Sequence, residues 1–189
     1  MAVIPRSRAQ ELVPVLLAAA DRAAAKRDCE ARIHVVPGAE EFVPAEDFER
    51  LITVHRADGE QQENRAGHLP EARLGQEWEW EATPELTVTV VDSLEAGVAL
   101  FNRYSPQFVS TLIAEDDTVR ASFEQGVNAP FVGDGFTRWV DGQYALGQTE
   151  LGLSNWERGR LLARSGVLTG ADLTARRLFA RHSDPGQHR

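Results

Sequence analysis

The chain has 189 residues, 42% hydrophobic content and a formal net charge of −9, values typical of a soluble globular protein with a real core. The acidic balance argues against a nucleic-acid partner, and no apolar run reaches the ~20 residues of a membrane span. A single cysteine excludes an internal disulfide and a cysteine-rich metal site, and the charged N-terminus does not resemble a signal peptide, so we expect a cytoplasmic protein.

The first half of the sequence predicts two helices, one strand and a long loop. A capping box at Ser7 and Gln10 opens an alanine- and leucine-rich helix. Residues 32–36 (RIHVV) form a strand pattern that a Pro-Gly turn closes. Residues 45–56 carry apolar side chains at helical spacing, and the polar, turn-rich residues 57–75 predict a loop.

The second half alternates strands and helices. The strand patterns, which are apolar and β-branched, lie at residues 86–91, 108–113 and 127–132. Asp92 fits the N-cap of the first intervening helix, and Asp116 or Asp117 fits that of the second. This order predicts a parallel, right-handed βαβ arrangement.

The C-terminal part is less regular. Residues 133–155 are rich in glycine and predict a loop, whereas residues 156–165 and 170–181 predict a C-terminal arm. We therefore expect a domain at residues 1–155, followed by an arm with a disordered tail at residues 156–189.

Residues 76–82, QEWEWEA, alternate three glutamates with two tryptophans. On an extended chain successive side chains point to opposite faces, so both indoles would share one face and the carboxylates the other. Either the acids face bulk water over a buried tryptophan pair, or they line a pocket that needs an acid. A carboxyl group that is desolvated beside indoles and like charges can transfer protons near neutral pH.

The five histidines show no spacing that suits a metal site. His34 and His55 fall within apolar patterns and are predicted to be hydrogen-bonded core or boundary residues. His68 lies in a polar stretch between Arg65 and Arg73 and is a candidate proton shuttle. The arginines are candidates for holding a substrate carboxylate. The alternative for all three is an ordinary surface role.

Several stretches occur in a familiar order. They are WEWE at 78–81, VVDSLEAGVALFNRY at 90–104, STLIAED at 110–116, VNA at 127–129 and TRWVDGQYALGQTELGLS at 137–154. Together they resemble the C-terminal part of the gamma-glutamyl phosphate reductases (glutamate-5-semialdehyde dehydrogenases), which belong to the aldehyde dehydrogenase superfamily.

The resemblance implies an α/β fold: a three-layer domain with a mainly parallel sheet, similar to the catalytic domain of aldehyde dehydrogenases, plus a C-terminal oligomerisation arm and a homodimeric state. It also implies that the family's dinucleotide-binding domain is absent and that its nucleophilic cysteine lies upstream of the first helix. Cys29 follows that helix, so we expect an inert or exposed thiol there. Without thiolate and dinucleotide the chain cannot act alone as a NAD(P)-dependent reductase, and neither cofactor nor metal is expected.

By resemblance, Glu81 matches the acid that faces the cofactor cleft in this superfamily, and Glu79 lies on the same strand face. We predict that these two carboxyl groups and His68 are catalytic. The predicted substrate-binding residues are Arg65, Arg73, Trp78, Phe131, Trp139 and Tyr144. The last three rings could wall a pocket for a flat ligand or pack in a dimer interface.

Two classes of function are consistent with these features. The first is a repurposed non-redox enzyme in which a carboxylate acts on an imine formed from an amine and an aldehyde. Small bacterial Pictet–Spengler enzymes, which condense a tryptophan with an aldehyde to a β-carboline in secondary metabolism, are similar in having a loop His and Arg before a strand Glu. The second is a non-catalytic pseudoenzyme that serves as a partner subunit in proline or related amino-acid metabolism. Half of a split reductase is a third possibility.

Overall fold

The computed structural model of the protein describes residues 1–76, 78, 82–107, 109–129, 131–135, 150–157, 160–167 and 179. The helices are α1 (Arg6–Ala25), α2 (Leu94–Tyr104) and α3 (Asp117–Gly126). The strands are β1 (Ala2–Pro5), β2 (Arg32–Val35), β3 (Leu51–Arg56), β4 (Gly59–Asn64), β5 (Ala66–His68), β6 (Glu85–Val91), β7 (Val109–Thr111), β8 (Phe131–Gly133), β9 (Glu150–Glu157) and β10 (Arg160–Val167). Short 3₁₀ helices lie at Glu40–Phe42, Ala45–Phe48 and Glu71–Arg73.

A four-stranded sheet in the order β1-β6-β2-β5 forms the centre of the described fold. Each neighbouring pair of its strands runs parallel. The described residues also form the antiparallel pairs β3–β4 and β9–β10 and the parallel pair β7–β8. The predicted α/β class with a mainly parallel sheet is therefore confirmed.

Helix α1 covers one face of the central sheet. Its buried residues recur every three or four positions, which gives a helix one apolar face. Alternate residues of the strands, such as Ile33 and Val35 of β2, point to this face, because side chains in a strand alternate between faces. The resulting core cluster includes Ala9, Val13, Leu17, Ala20, Ala24, Ile33, Val35, Val88 and Val90.

The opposite face of the same strands is polar. Arg32 and His34 of β2 lie beside Glu85 and Thr87 of β6 in the parallel register. His34, Glu85 and Thr87 are all buried, although this face would be apolar in an ordinary core. A buried polar group is costly unless it finds a hydrogen-bond partner, so this face needs a network of contacts.

The predicted βαβ order is confirmed for β7 and β8, which are connected through α3 and pair in parallel. Asp116, one of the two predicted caps, is the N-cap of α3. Its Oδ1 accepts hydrogen bonds from the Thr118 and Val119 N–H groups. Strand β6 instead pairs with β1 on one side and β2 on the other, so it has no edge free for β7. Strand β1 was not predicted, because its four residues, AVIP, are too few to show a period.

The predicted caps of the first two helices are wrong. Ser7 lies inside α1, whose N-cap Pro5 makes no side-chain hydrogen bond. Ser93 caps α2 by accepting a hydrogen bond from the backbone N–H three residues later. Asp92, the predicted cap, instead accepts a hydrogen bond at 2.7 Å from Nε of Arg6 to its Oδ1. Ser and Asp are equally good caps, so the sequence alone could not choose between neighbours.

The predicted helix at residues 45–56 is also wrong. A single 3₁₀ turn is followed by β3, in which Ile52 and Val54 are buried and alternate with more exposed residues. The predicted loop at residues 57–75 contains β4 and β5 and a turn at Gly59, where φ is 120°. Strand β4 reads GEQQEN and lacks the apolar residues that signal a strand. Its pairing with β3 provides the extended structure.

Residues 150–155, predicted as loop, belong to β9, which pairs along its whole length with β10. Residues 168–178 and 180–189 of the predicted arm lie outside the described residues, so the domain boundary at residue 155 stays a prediction. None of the helices in the described part of the chain combines the length and the apolar character that crossing a bilayer requires.

Candidate functional site

Of two cavities that described residues line, the larger lies at the carboxyl ends of β2 and β5, next to α1. Ligands of open parallel sheets commonly bind at this edge. The cavity has a volume of about 770 Å³, within the range of roughly 300–1,000 Å³ seen for small-molecule sites. Its lining is mainly apolar and consists of Gln10, Pro14, Leu17, Glu40, Glu41, Phe42, Val43, Pro44, Ala45, Phe48 and His68.

The Pro-Gly turn after β2 positions the acidic rim of this cavity. Gly38 has φ 90°, a conformation that glycine adopts without strain. Its N–H donates to Oε2 of Glu40 at 2.6 Å, which fixes this carboxylate over the turn. Nη1 of Arg6 lies 3.3 Å from the Gly38 carbonyl oxygen and 3.3 Å from Oε1 of Glu41. The turn therefore presents two carboxylates side by side, each held by a neighbour.

His68 completes the rim from the other strand. It is the last residue of β5 and lies opposite Val35 in the register, which directs it to the α1 face. Its ring stacks on Phe48 with centroids 4.9 Å apart. Its Nδ1 is 3.6 Å from Oε1 of Glu40, and 67% of the side chain is exposed. An imidazole and a carboxylate thus share the mouth of an aromatic-lined cavity, a pair of groups that can exchange protons with a ligand.

A second group of residues lies on the opposite face of the sheet. The indole of Trp78 stacks on the imidazole of His34, with centroids 3.6 Å apart and planes 2° from parallel. Nε1 of Trp78 donates to Oγ1 of Thr87 at 3.3 Å, and Nε2 of His34 lies 2.6 Å from Oε2 of Glu85. The prediction that His34 is a hydrogen-bonded core histidine is confirmed. His55, predicted alike, contacts the Thr83 hydroxyl.

An ion-pair network extends from Glu85. Arg56 binds Glu85 and Glu63, and Glu63 also binds Nε of Arg32 at 3.1 Å. Burial lowers the pKa of His34 more than the neighbouring Glu85 raises it, so the imidazole is neutral near neutral pH. Burial raises the pKa of Glu63, but the hydrogen bonds and charges of Arg56 and Arg32 together lower it by more. The pKa of Glu63 is therefore below its ordinary value.

A smaller cavity of about 330 Å³ adjoins this network at the amino ends of β1 and β6. Trp78, Glu85 and Thr87 contribute to its lining. The Glu85 side chain has no exposed surface and already contacts Arg56 and His34. The indole covers the imidazole, so these groups have fewer free positions for a ligand than the pair in the larger cavity.

The structure separates the predicted site residues. His68 lies in the larger cavity and Trp78 at the smaller one. Arg65 is buried between Asp21, at 2.6 Å, and Asp47, and its Nε has no hydrogen-bond partner among the described residues. This arginine links α1 to the 3₁₀ turn before β3 and lines neither cavity.

The remaining predicted residues are peripheral or lie outside the described residues. Arg73 is exposed and donates to Oε1 of Gln76. Phe131 begins β8, but its side chain is outside the described part, as are Glu79, Glu81, Trp139 and Tyr144 entirely. The predicted inert thiol is half-buried, and burial raises the pKa of Cys29, which keeps it protonated.

Sequence reasoning missed Glu40, Phe42 and Phe48 as neighbours of His68. The available signal was the Pro-Gly turn followed by two glutamates and a phenylalanine, directly after a strand. Glu85 was missed because its proximity to His34 depends on the register between β2 and β6, which the sequence does not display.

No protein-family model matches the chain, and no curated protein matches it. Among solved structures, it is similar to gamma-glutamyl phosphate reductase from Thermotoga maritima, with a TM-score of 0.58 and 16% sequence identity. The similarity covers 93% of this chain and 37% of the reductase chain. The likeness establishes the fold. It confirms the expected relation to the reductase at that level, and this chain spans little more than a third of that reductase.

Proposed function

We propose that the protein is a non-redox enzyme that transfers protons on an imine formed from an amine and an aldehyde. The reaction type is a Pictet–Spengler condensation, which converts a tryptophan derivative and an aldehyde into a tetrahydro-β-carboline. The observation that carries the proposal is the His68–Glu40 pair at the mouth of the cavity that Phe42 and Phe48 line.

The reaction needs proton transfers and no change of oxidation state. The amine adds to the aldehyde, and water leaves once its oxygen has been protonated, giving an iminium ion. A ring carbon of the indole then bonds to the iminium carbon, and loss of a proton from the ring restores aromaticity. His68 can donate the first proton and accept the last, and Glu40, at 3.6 Å, can orient the imidazole and stabilise its charged form.

The apolar wall supplies the other requirement. Aromatic side chains hold a flat indole by stacking and apolar burial, and an imine lasts longer where water is partly excluded. Pro14, Leu17 and Val43 extend this wall beyond the two phenylalanines. Proximity of the two reactants in one cavity contributes to the rate independently of acid–base chemistry.

The proposal retains the other sequence predictions in a testable form. Glu79 and Glu81 are the alternative source of the acid. Arg73, Trp78, Phe131, Trp139 and Tyr144 would be substrate contacts only if the reaction takes place in that alternative site, because neither Arg73 nor Trp78 lines the larger cavity. Arg65 is not among the proposed substrate contacts, because its guanidinium forms ion pairs with Asp21 and Asp47.

The test is to incubate the purified protein with tryptamine or L-tryptophan and a panel of aldehydes. Chiral chromatography with mass spectrometry then separates enzymatic from spontaneous product. We expect His68→Asn to lower the rate by about a hundredfold or more and Glu40→Gln to lower it less. Glu49→Gln, an exposed acid on the same segment, should have no effect.

Two results would contradict this assignment. A folded protein that yields product only at the spontaneous rate and in the spontaneous ratio of stereoisomers, with every aldehyde, rules out the activity. Full activity in His68→Asn together with loss of activity in Glu79→Gln or Glu81→Gln would move the acid to the segment around Trp78.

The second candidate, a non-catalytic partner subunit, is favoured by one observation. The chain is similar in fold to 37% of a reductase chain, so it could bind where a copy of that region binds in an assembly. The measurement is co-elution with a purified gamma-glutamyl phosphate reductase in size-exclusion chromatography, and separate elution at high concentration rules this candidate out.

A further inference from the structure

The charged groups at the mouth of the larger cavity are mainly acidic. Its lining includes Glu40 and Glu41 but no lysine or arginine. The guanidinium of Arg6 contacts one of these lining residues, Glu41, at 3.3 Å and also Asp92 at 2.7 Å. Two carboxylates therefore share one guanidinium, and Glu40 contacts no arginine or lysine among the described residues, so the rim keeps a negative excess when His68 is neutral.

Arg6 has limited capacity for a ligand carboxylate in this arrangement, because only its Nη2 has no hydrogen-bond partner among the described residues. Its Nε donates to Asp92, and its Nη1 is shared between Glu41 and the Gly38 carbonyl oxygen. A bidentate clamp on a carboxylate would need two adjacent free donors on the same guanidinium. An amino acid bound here would thus place its carboxylate near Glu40 and Glu41, with only Nη2 of Arg6 as a cationic partner.

An ammonium group has suitable partners in the same place. Oε2 of Glu40 is occupied by the Gly38 N–H, but Oε1 faces His68 at the mouth of the cavity. A cationic amine whose ring lies between Phe42 and Phe48 would bring its charge to this rim. Charge-assisted hydrogen bonds to carboxylates are stronger than neutral ones, and the phenyl faces also favour a nearby cation.

We propose that the larger cavity selects arylalkyl amines that carry no carboxylate, such as tryptamine in preference to tryptophan. The identity of the cavity as the active site rests on the proposed function, whereas the selection rests on the charges of the rim. Glu40 and Glu41 are the residues that determine it.

The test measures binding without catalysis, using three indoles of similar size. They are tryptamine, the neutral 3-ethylindole and the anionic indole-3-propionate, each titrated by calorimetry at low and high salt. Tryptamine should bind more than about tenfold more tightly than indole-3-propionate, with 3-ethylindole between them. Added salt should narrow this ratio, because the rim is partly exposed.

Variants locate the effect. Glu41→Gln should reduce the ratio of the affinity for tryptamine to the affinity for indole-3-propionate. The double variant Glu40→Gln and Glu41→Gln should bring this ratio close to one. Glu49→Gln is the matched control and should leave the ratio unchanged. Phe48→Ala should weaken all three ligands alike, which shows that they occupy this cavity.

The results separate this inference from the proposed function. Equal affinity for the cation and the anion, or no binding of any of the three, overturns the selection even if a β-carboline forms. Selective binding of tryptamine by a protein that forms no product supports the selection and rejects the enzymatic proposal.

Discussion

His34 illustrates how one buried residue shapes the response of the protein to acid. Its imidazole is enclosed by the indole of Trp78 and the carboxylate of Glu85, and the guanidinium groups of Arg32 and Arg56 act on it electrostatically. Burial is the largest cause of its lowered pKa. The folded protein therefore resists a proton that the unfolded chain accepts.

The sign of the resulting pH dependence is fixed. In the unfolded chain His34 titrates near 6.5, so below that value the unfolded state binds more protons and stability falls as pH falls. We expect the free energy of unfolding, measured in urea, to decrease between about pH 7 and pH 5, by less than about 1.4 kcal/mol per pH unit.

His34→Phe is the matched variant, because it retains a ring beneath Trp78 but cannot titrate. Its stability should change less over the same interval. Glu63, whose pKa is lowered from 4.5, contributes stability that is lost only at lower pH, as the pH falls through its folded-state pKa, so the two effects separate. Equal slopes for the variant and the parent protein would show that His34 does not carry the effect.

At the same scale, the sequence predicted the burial of His34 but not its partner. The apolar pattern of RIHVV is local and visible, whereas the contact with Glu85 joins residues 51 positions apart. Arg65 shows the converse. The polar sequence around Arg65 suggested a guanidinium open to solvent or a ligand. Asp21 and Asp47 form ion pairs with it only because α1 packs against the turn before β3.

At the scale of elements, the start of α2 offers a direct test of the cap. Ser93 Oγ accepts a hydrogen bond from the Ala96 N–H at 3.2 Å. Ser93→Ala leaves that N–H without its side-chain partner and should destabilise the protein by about 1 kcal/mol. The measurement is the urea midpoint at constant slope.

Ser122 provides the matched control, since it is an exposed serine within α3. Ser122→Ala exchanges a weaker helix former for the best one and should not lower stability. If Ser93→Ala and Ser122→Ala behave alike, the hydrogen bond at the start of α2 contributes nothing measurable.

Local patterns predicted the three helices and the strands β2 and β6, but they gave a helix where β3 lies and failed for elements that other elements impose. The helices α1, α2 and α3 carry their own periodicity, and side chains cap α2 and α3 at their starts. Strand β4 is wholly polar and exists because β3 pairs with it, and β1 is short and completes the edge of β6. The partner of β1 lies far along the chain, whereas the partner of β4 is the preceding strand of its own hairpin.

For the whole molecule, the resemblance in motif order gave the correct fold, and the solved reductase confirms it at 16% identity. The site was predicted only in part, because its members come from four separate segments. Gln10, Glu40, Phe48 and His68 meet only when α1, the turns after β2 and the end of β5 are assembled. Motifs that identify an architecture do not reveal which loop residues converge on its edge.

The hairpin of β9 and β10 carries a prediction about assembly. Its eight-residue strands pair with each other and with no other strand in the described part of the chain. A two-stranded hairpin is marginal alone and leaves both edges open. We expect the full chain to sediment as a homodimer and a variant with residues 150–167 replaced by a glycine–serine linker to sediment as a monomer. A full chain that is monomeric at every concentration contradicts this expectation.

Strand β5, at the edge of the central sheet, limits which insertions and deletions the protein can tolerate. Gly67 lies under the guanidinium of Arg32, where an added Cβ would come within 2.6 Å of Nη2, while the next residue, His68, points to the other face. A one-residue slip of β5 would exchange their positions. It would drive the imidazole into the arginine and leave the cavity without its histidine, so an insertion or deletion before β5 would damage both faces at once.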